Sequence, residues 1–198
     1  MVKPNPSRAP GRPRRADVED RVLGAALDLL AERGIDGTTM SAVVARSGVA
    51  RATVYLRWPR RQALLAAAIR RAMGRPVLQG SDSVERDIRA GAERVGEIFG
   101  SPTFQSVFPA VVAALTRDGS GDAPITYDVI APGRAVLADS YRRLAAKQGF
   151  RDDVSPELVI DLLTGAHIGH YLATGEPPDA AIRDQILDII LDGLRRRP

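Results

Sequence analysis

From Asp17 onward the apolar residues recur every three or four positions, and no sustained alternation of apolar and polar residues interrupts them. That spacing aligns side chains along one side of a 3.6-residue turn, whereas a strand requires period two. The chain is therefore expected to be all-α. Val18, Val22, Ala25, Ala26, Leu29 and Leu30 form the inner stripe of a first helix over about 17–33, followed by Gly34 at a position that favours positive φ. Asp36-Gly37 turns the chain, and Thr38 or Thr39 can cap a short second helix over about 40–47. Gly48 breaks that helix, Val49 follows as an apolar plug, and a third short helix spans about 51–58. A fourth covers about 60–73, with Leu64, Leu65, Ala68 and Ile69 on its inner side.

Gly74, Pro76 and the polar run Gly80-Ser81-Asp82-Ser83 mark a boundary. Beyond it, Val84, Ile88, Ala92, Val95 and Phe99 trace a fifth helix, and Pro102 precedes a sixth over about 103–117. A flexible loop at 118–122 leads to a seventh helix, about 125–148, which must bend at Pro132-Gly133 because proline removes a hydrogen bond and clashes with the preceding turn. Pro156 is placed as the first residue of an eighth helix ending near 173, and a ninth runs over about 180–196. No internal repeat is apparent.

Composition narrows the chemistry. Apolar residues make up 44% of the 198, enough for a real core. The absence of cysteine excludes disulfides, a thiol nucleophile and thiolate zinc sites. Only His167 and His170 are available for acid–base or metal work, and two ligands without a neighbouring acidic cluster do not make a metal site. No glycine-rich phosphate loop, nucleophile elbow or metalloprotease motif is present, so an enzyme and a resident cofactor are not expected. No run of about 18 apolar residues suggests a membrane span, and the first fifteen residues lack the apolar segment of a secretory signal, which leaves the cytoplasm as the default compartment.

Charge is divided between two halves. Residues 1–75 carry a balance of +9 and residues 76–198 a balance of −5. Such segregation directs the N-terminal third towards a polyanion, nucleic acid in preference to a lipid surface. The opening MVKPNPSRAPGRPRR has five basic side chains, four prolines and no acid, so it has nothing to bury. Its Arg12, Arg14 and Arg15 suit an extended arm in a minor groove or along phosphates.

The segment 38–64 is the most informative. Two helices of about eight residues joined at Gly48 are too short to persist alone, but crossed and braced by the first helix they make a helix-turn-helix. Val43, Val44, Val49, Val54 and Tyr55 form its apolar framework. Arg51, Ala52, Thr53, Leu56 and Arg57 are then outward on the second of the two helices. Arg51 can pair with a guanine edge, Thr53 with phosphate or base, and Ala52 or Leu56 with a thymine methyl. Tyr55 can pack its ring and still offer a hydroxyl to phosphate at the rim; Trp58 is foremost a packing residue whose indole N–H can reach the backbone.

The run from Thr39 to Leu65, TMSAVVARSGVARATVYLRWPRRQALL, resembles the DNA-binding domain of TetR-type transcriptional regulators. A small residue precedes Gly48-Val49, the next helix bears Thr53-x-Tyr55, an aromatic Trp58 follows three residues on, and Leu64-Leu65 opens the fourth helix. The first helix, Arg21 to Gly34, is similar as well, so the likeness covers about residues 17–66. Departures are Val44 at a crossing where alanine is usual, Trp58 for phenylalanine, Arg61-Gln62 for a Lys-acid pair, and Leu56 where a polar residue is frequent. The resemblance implies phosphate contacts from Thr39 at the start of the second helix and from Arg61 at the start of the fourth.

It also implies an effector pocket within helices five to eight, for which Phe104, Phe108, Tyr127, Tyr141, His167 and Tyr171 are candidates, with a small hydrophobic or aromatic molecule as ligand. A palindromic double-stranded DNA site calls for a two-fold homodimer. The last two helices offer Leu158, Leu162 and Ala166 on one and Ile182, Ile186 and Ile190 on the other, with Gly165 and Gly169 permitting close backbone approach. The resulting expectation is an N-terminal three-helix domain with a helix-turn-helix followed by a larger C-terminal helical bundle, about nine helices in all. A basic arm (1–16), a helix-turn-helix domain with its linking helix (17–75) and an effector and dimerisation domain (76–198) divide the chain. The function expected is a ligand-responsive DNA-binding regulator, most simply a repressor; the rival is a constitutive DNA-binding or architectural protein without an effector.

Overall fold

A computed structural model describes residues 15–74, 80–116 and 131–196. Among these residues there are nine α-helices: α1 (Arg15–Gly37), α2 (Met40–Ser47), α3 (Arg51–Arg57), α4 (Arg61–Met73), α5 (Val84–Gly100), α6 (Pro102–Thr116), α7 (Ala131–Leu144), α8 (Pro156–Thr174) and α9 (Ala180–Leu194). The fold is all-α, with a helix-turn-helix in α1–α3 and a larger C-terminal bundle. The expected loop 118–122 and the start of the expected seventh helix lie outside the described residues; Pro132 and Gly133, the expected site of its bend, lie in the first turn of α7, which ends at Leu144 ahead of a short 3-10 turn at Ala146–Gln148.

Local chemistry sets the helix ends. Gly34 leaves helical geometry (φ 64°, ψ −169°), so α1 is interrupted where the sequence placed its end. The choice between two threonines is settled by their hydrogen bonds. Thr39 is the N-cap of α2, its hydroxyl accepting from the Ala42 amide at 3.1 Å, while the buried Thr38 donates its hydroxyl to the Gly34 carbonyl at 2.7 Å. Gly48 closes α2 in the left-handed region (φ 61°, ψ 19°), and Arg21 of α1 donates to the Ser47 carbonyl beside it at 2.7 Å. Ser155 caps α8, with Pro156 in its first turn, and Asp179 caps α9.

Two apolar cores result. The first gathers Val22, Ala26, Leu29 and Leu30 of α1, Val43 of α2, Val54 and Trp58, and Leu64, Leu65 and Ile69 of α4, and it continues without a break into Phe99 of α5 and Phe104, Val107, Phe108 and Val111 of α6. Val22, Val43 and Val54 have no exposed surface, and each such burial contributes about 1.5–3 kcal/mol. The second core joins α5, α7, α8 and α9 through Ile88, Leu137, Tyr141, Val159, Leu163, Leu187 and Leu191. The end of α9 is tied to the turn after α7: the Arg151 amide donates to the Leu194 carbonyl at 2.8 Å and the Arg196 amide to the Gly149 carbonyl at 2.9 Å. Buried Asp87 accepts from the Ser81 amide at 2.9 Å and from the Ser140 hydroxyl, holding the approach to α5 against α7.

Candidate nucleic-acid interface and buried aromatic cluster

The α3 helix is seven residues long and buries one of them, Val54. Arg51, Ala52, Thr53 and Leu56 are exposed, Leu56 at 85%. Tyr55 sits half-buried at the rim. Arg51 lies over its ring, 5.1 Å from the centroid, and donates to its hydroxyl at 3.3 Å. The expected outward set therefore holds for four residues, with Arg57 as the exception. Its guanidinium pairs with Glu19 of α1 at 2.5 Å and stacks 5.6 Å from the Trp58 centroid, so it braces α3 instead of facing outward.

Arg57 belongs to a wider pattern. Acids of α1 reach each of the three following helices: Glu32 holds Arg46 of α2 through two bonds at 2.5 and 2.6 Å, Glu19 holds Arg57 of α3, and Asp20 pairs with Arg71 of α4. The Arg46 guanidinium keeps the Glu32 carboxyl below the usual carboxylate range. Half-buried Arg61 turns inward too, donating to the Thr38 carbonyl at 2.9 Å and to the Ile35 carbonyl, where it clamps the turn before α2. Trp58, 6% exposed, is part of the first core. Thr39 remains exposed at the start of α2. Arg12 and Arg14 lie outside the described residues, and Arg15 is the first residue of α1.

Of the residues expected to meet an effector, four come together. Phe104 and Phe108 of α6 pack around Phe99 edge to face, with centroids 5.5 and 5.2 Å away, and Tyr171 of α8 meets Phe108 at 5.4 Å and 87°. The buried His167 ring lies 6.1 Å from Phe99. Phe99, the hub of the group, had been visible in sequence only as the last apolar residue of its helix. Tyr141 is not part of the group. It is buried in the second core, where its hydroxyl donates to the Arg151 carbonyl at 2.7 Å and desolvation raises its pKa. Tyr127 lies outside the described residues.

The family comparisons agree with this architecture. The description "Tetracyclin repressor-like, C-terminal domain" matches residues 78–190, and "Bacterial regulatory proteins, tetR family" matches residues 22–68. The chain belongs to the TetR family of transcriptional regulators. It is 26% identical over 180 residues, 90% of either chain, to the uncharacterized HTH-type transcriptional regulator YdeS of Bacillus subtilis (strain 168). Among solved structures it is similar to the flavonoid-responsive regulator FrrA (20% identity, 92% of this chain and 100% of that one, TM-score 0.65). It is likewise similar to NalD, the secondary repressor of the MexAB-OprM multidrug efflux pump in Pseudomonas aeruginosa (16% identity, 91% and 97% coverage, TM-score 0.69).

In this TetR-family chain one side of the last two long helices is left uncovered. Leu158, Leu162 and Leu172 of α8 and Ile189 of α9 are 48%, 46%, 69% and 73% exposed. A Cβ added to Gly165 or Gly169 would meet nothing within 4 Å, so the close approach these glycines permit is not made among the described residues. Ala166, Ile182 and Ile186 are half-buried. Ile190 is a correction: at 8% exposure it belongs to the chain's own second core, and the adjacent Ile189 takes the outer position. Among the described residues no group of three or more His, Asp or Glu is placed to hold a metal, and no helix is long and apolar enough to cross a membrane. Regulators of this family are DNA-binding proteins and not enzymes.

Proposed function

We propose that this TetR-family regulator is a homodimeric repressor that binds a palindromic operator and is released by a small hydrophobic or aromatic effector. The observation that carries the reading is the α3 surface, a short helix whose Arg51, Ala52, Thr53 and Leu56 stand clear of the core with Tyr55 at their edge. A guanidinium, a hydroxyl and two apolar groups on one helix match what a major groove offers: guanine acceptors, phosphate and thymine methyls. Thr39 at the start of α2 adds a phosphate contact beside the helix amides, Arg12 and Arg14 extend the contact from the basic segment ahead of α1, and Arg15 adds to it from the first turn of α1. The head then spans 17–75 and the effector and dimerisation region 76–198.

Self-association through α8 and α9 is supported by the uncovered leucines, Ile189 and the open Gly165–Gly169 edge. One seven-residue helix reads only a few base pairs, and a two-fold pair reads two half-sites about 34–36 Å apart. An apolar ligand is supported by the aromatic group around Phe99, and FrrA, of the same fold, is described as flavonoid-responsive. Recovery of bound fragments from genomic DNA with the purified protein tests the reading. A two-fold symmetric motif is expected; fragments without a shared motif would contradict it.

A further inference from the structure

His167 is 1% exposed and carries a polar atom that no described residue satisfies. Its Nδ1 lies 2.8 Å from the Leu163 carbonyl, one turn earlier in α8. A carbonyl oxygen can only accept, so Nδ1 carries the proton in that bond. In the neutral ring Nε2 is then a bare acceptor. It is buried and has no partner among the described residues. Buried acceptors are nearly always satisfied in folded proteins, and the exceptions call for an explanation.

The surroundings say what kind of partner would suit it. Phe99 lies beside the imidazole, Phe104 and Phe108 pack on Phe99, and Tyr171 closes against Phe108, all at edge-on or tilted angles. Such rings grip a flat apolar molecule; their faces can also take a cation, but the positive field of Arg183 at His167 opposes one. An anionic ligand would face the lone pair of Nε2 unless that atom took a proton, and burial disfavours the charged ring. A ligand that only accepts hydrogen bonds would leave Nε2 as it is.

We infer that His167 Nε2 accepts a hydrogen bond from an uncharged aromatic hydroxyl compound, a phenol or aromatic alcohol, held against Phe99, Phe104, Phe108 and Tyr171. This rests on the effector-responsive reading above and names the ligand class for it. His167 is then the residue that separates a hydroxylated ring from its ether or its carboxylate. A site built around a hydrogen bond rejects the analogue that lacks the donor much more strongly than an apolar pocket rejects a change of size.

The test uses the full chain with nitrogen-15-labelled histidine and three probes: 2-naphthol, 2-methoxynaphthalene and 2-naphthoate. Calorimetry is expected to show 2-naphthol binding about tenfold or more tighter than the ether, the equivalent of one hydrogen bond. The naphthoate is expected to bind weakest. In the nitrogen spectrum the His167 Nε2 resonance moves on adding 2-naphthol and stays in place with the ether. His167→Phe removes the preference. Should that variant not fold, His167→Gln, whose amide oxygen still accepts, retains some of it. Equal binding of naphthol and ether, preference for naphthoate, a preference that survives His167→Phe, or no binding of any probe would overturn the inference. DNA release is read in a separate arm. Discrimination at His167 without release supports this ligand assignment and counts against the regulator reading alone.

Discussion

Arg51 and Tyr55 form a pair on the outer side of α3, and their two contacts define what each can do on DNA. The guanidinium over the ring is worth about 0.5–1 kcal/mol at an exposed site, small enough for a guanine edge to draw Arg51 away. Arg51→Ala is therefore expected to cost about 1–3 kcal/mol at one base position per half-site and to relax preference there. Arg14→Ala should weaken all sequences alike and lower the salt slope. Competition binding against single-base operator variants, repeated across salt concentrations, separates the two, and equal sequence-independent losses would remove Arg51 from base reading. His167 carries a prediction of another kind. Desolvation, aided by Arg183 and His170 and opposed by the bond to Leu163, lowers its pKa from the ordinary 6.5. The unfolded chain thus takes up the His167 proton first as pH falls. The stability associated with the neutral buried ring is complete well above pH 6.5 and declines as pH drops through that value towards the lower folded-state pKa. Urea midpoints between pH 8 and pH 5 should show this decline, and His167→Gln should reduce it.

At the scale of helices and turns, Gly48 decides the angle between α2 and α3. Its φ of 61° strains any residue with a Cβ, and a Cβ there would also come within 3.0 Å of the Arg21 guanidinium that caps α2. Gly48→Ala is expected to cost about 1–2 kcal/mol in urea unfolding and to weaken DNA binding as the two helices shift. An unchanged midpoint would show that the turn tolerates another geometry. Gly48 also illustrates how much could be read beforehand. Caps, breaks and apolar spacing are local, so the limits of α2 stand where the sequence placed them and those of α3 and α4 differ by one residue. Long-range pairings leave no such trace: Glu19 and Arg57 are 38 residues apart, Asp20 and Arg71 are 51 apart, and an arginine on a seven-residue helix looks outward until its partner is known. Helix rotation was equally hidden. Ile189 and Ile190 are both apolar and about 100° apart around α9, so periodicity alone could not say which faced the core. Tyr141 and Phe108 both look like pocket residues in sequence, and only the packing of α6 and α7 assigns them to different cores.

On the scale of the whole molecule, the two cores divide the work of the C-terminal bundle. The first runs continuously from the Val54 contact under α3, through α1 and α4, to the phenylalanines of α6, so an effector that separates those rings would act on helices that also set α3. Arg94 of α5 strengthens the same junction by donating to the Met73 carbonyl at the end of α4. The second core holds α8 and α9 with their remaining apolar side turned outward. If that side joins two copies, the spacing of the two α3 helices depends on how each head sits on its shared base, and an effector and DNA must weaken one another by the same factor. Leu162→Asp combined with Ile189→Asp tests this without disturbing either core, because neither residue belongs to one and both are exposed in the single chain. Within the single chain such surface changes usually cost about 0.5 kcal/mol or less, so helix content should be nearly preserved, while the unfolding midpoint falls by what the dimer contact contributes. Light scattering should report a monomer. Operator affinity should fall by about two orders of magnitude or more, since the second head no longer binds at the raised local concentration that a dimer provides, while contact with a single half-site remains. A variant that stays dimeric would move the two-fold interface elsewhere on the chain, and a monomer with unchanged operator affinity would mean that one head suffices.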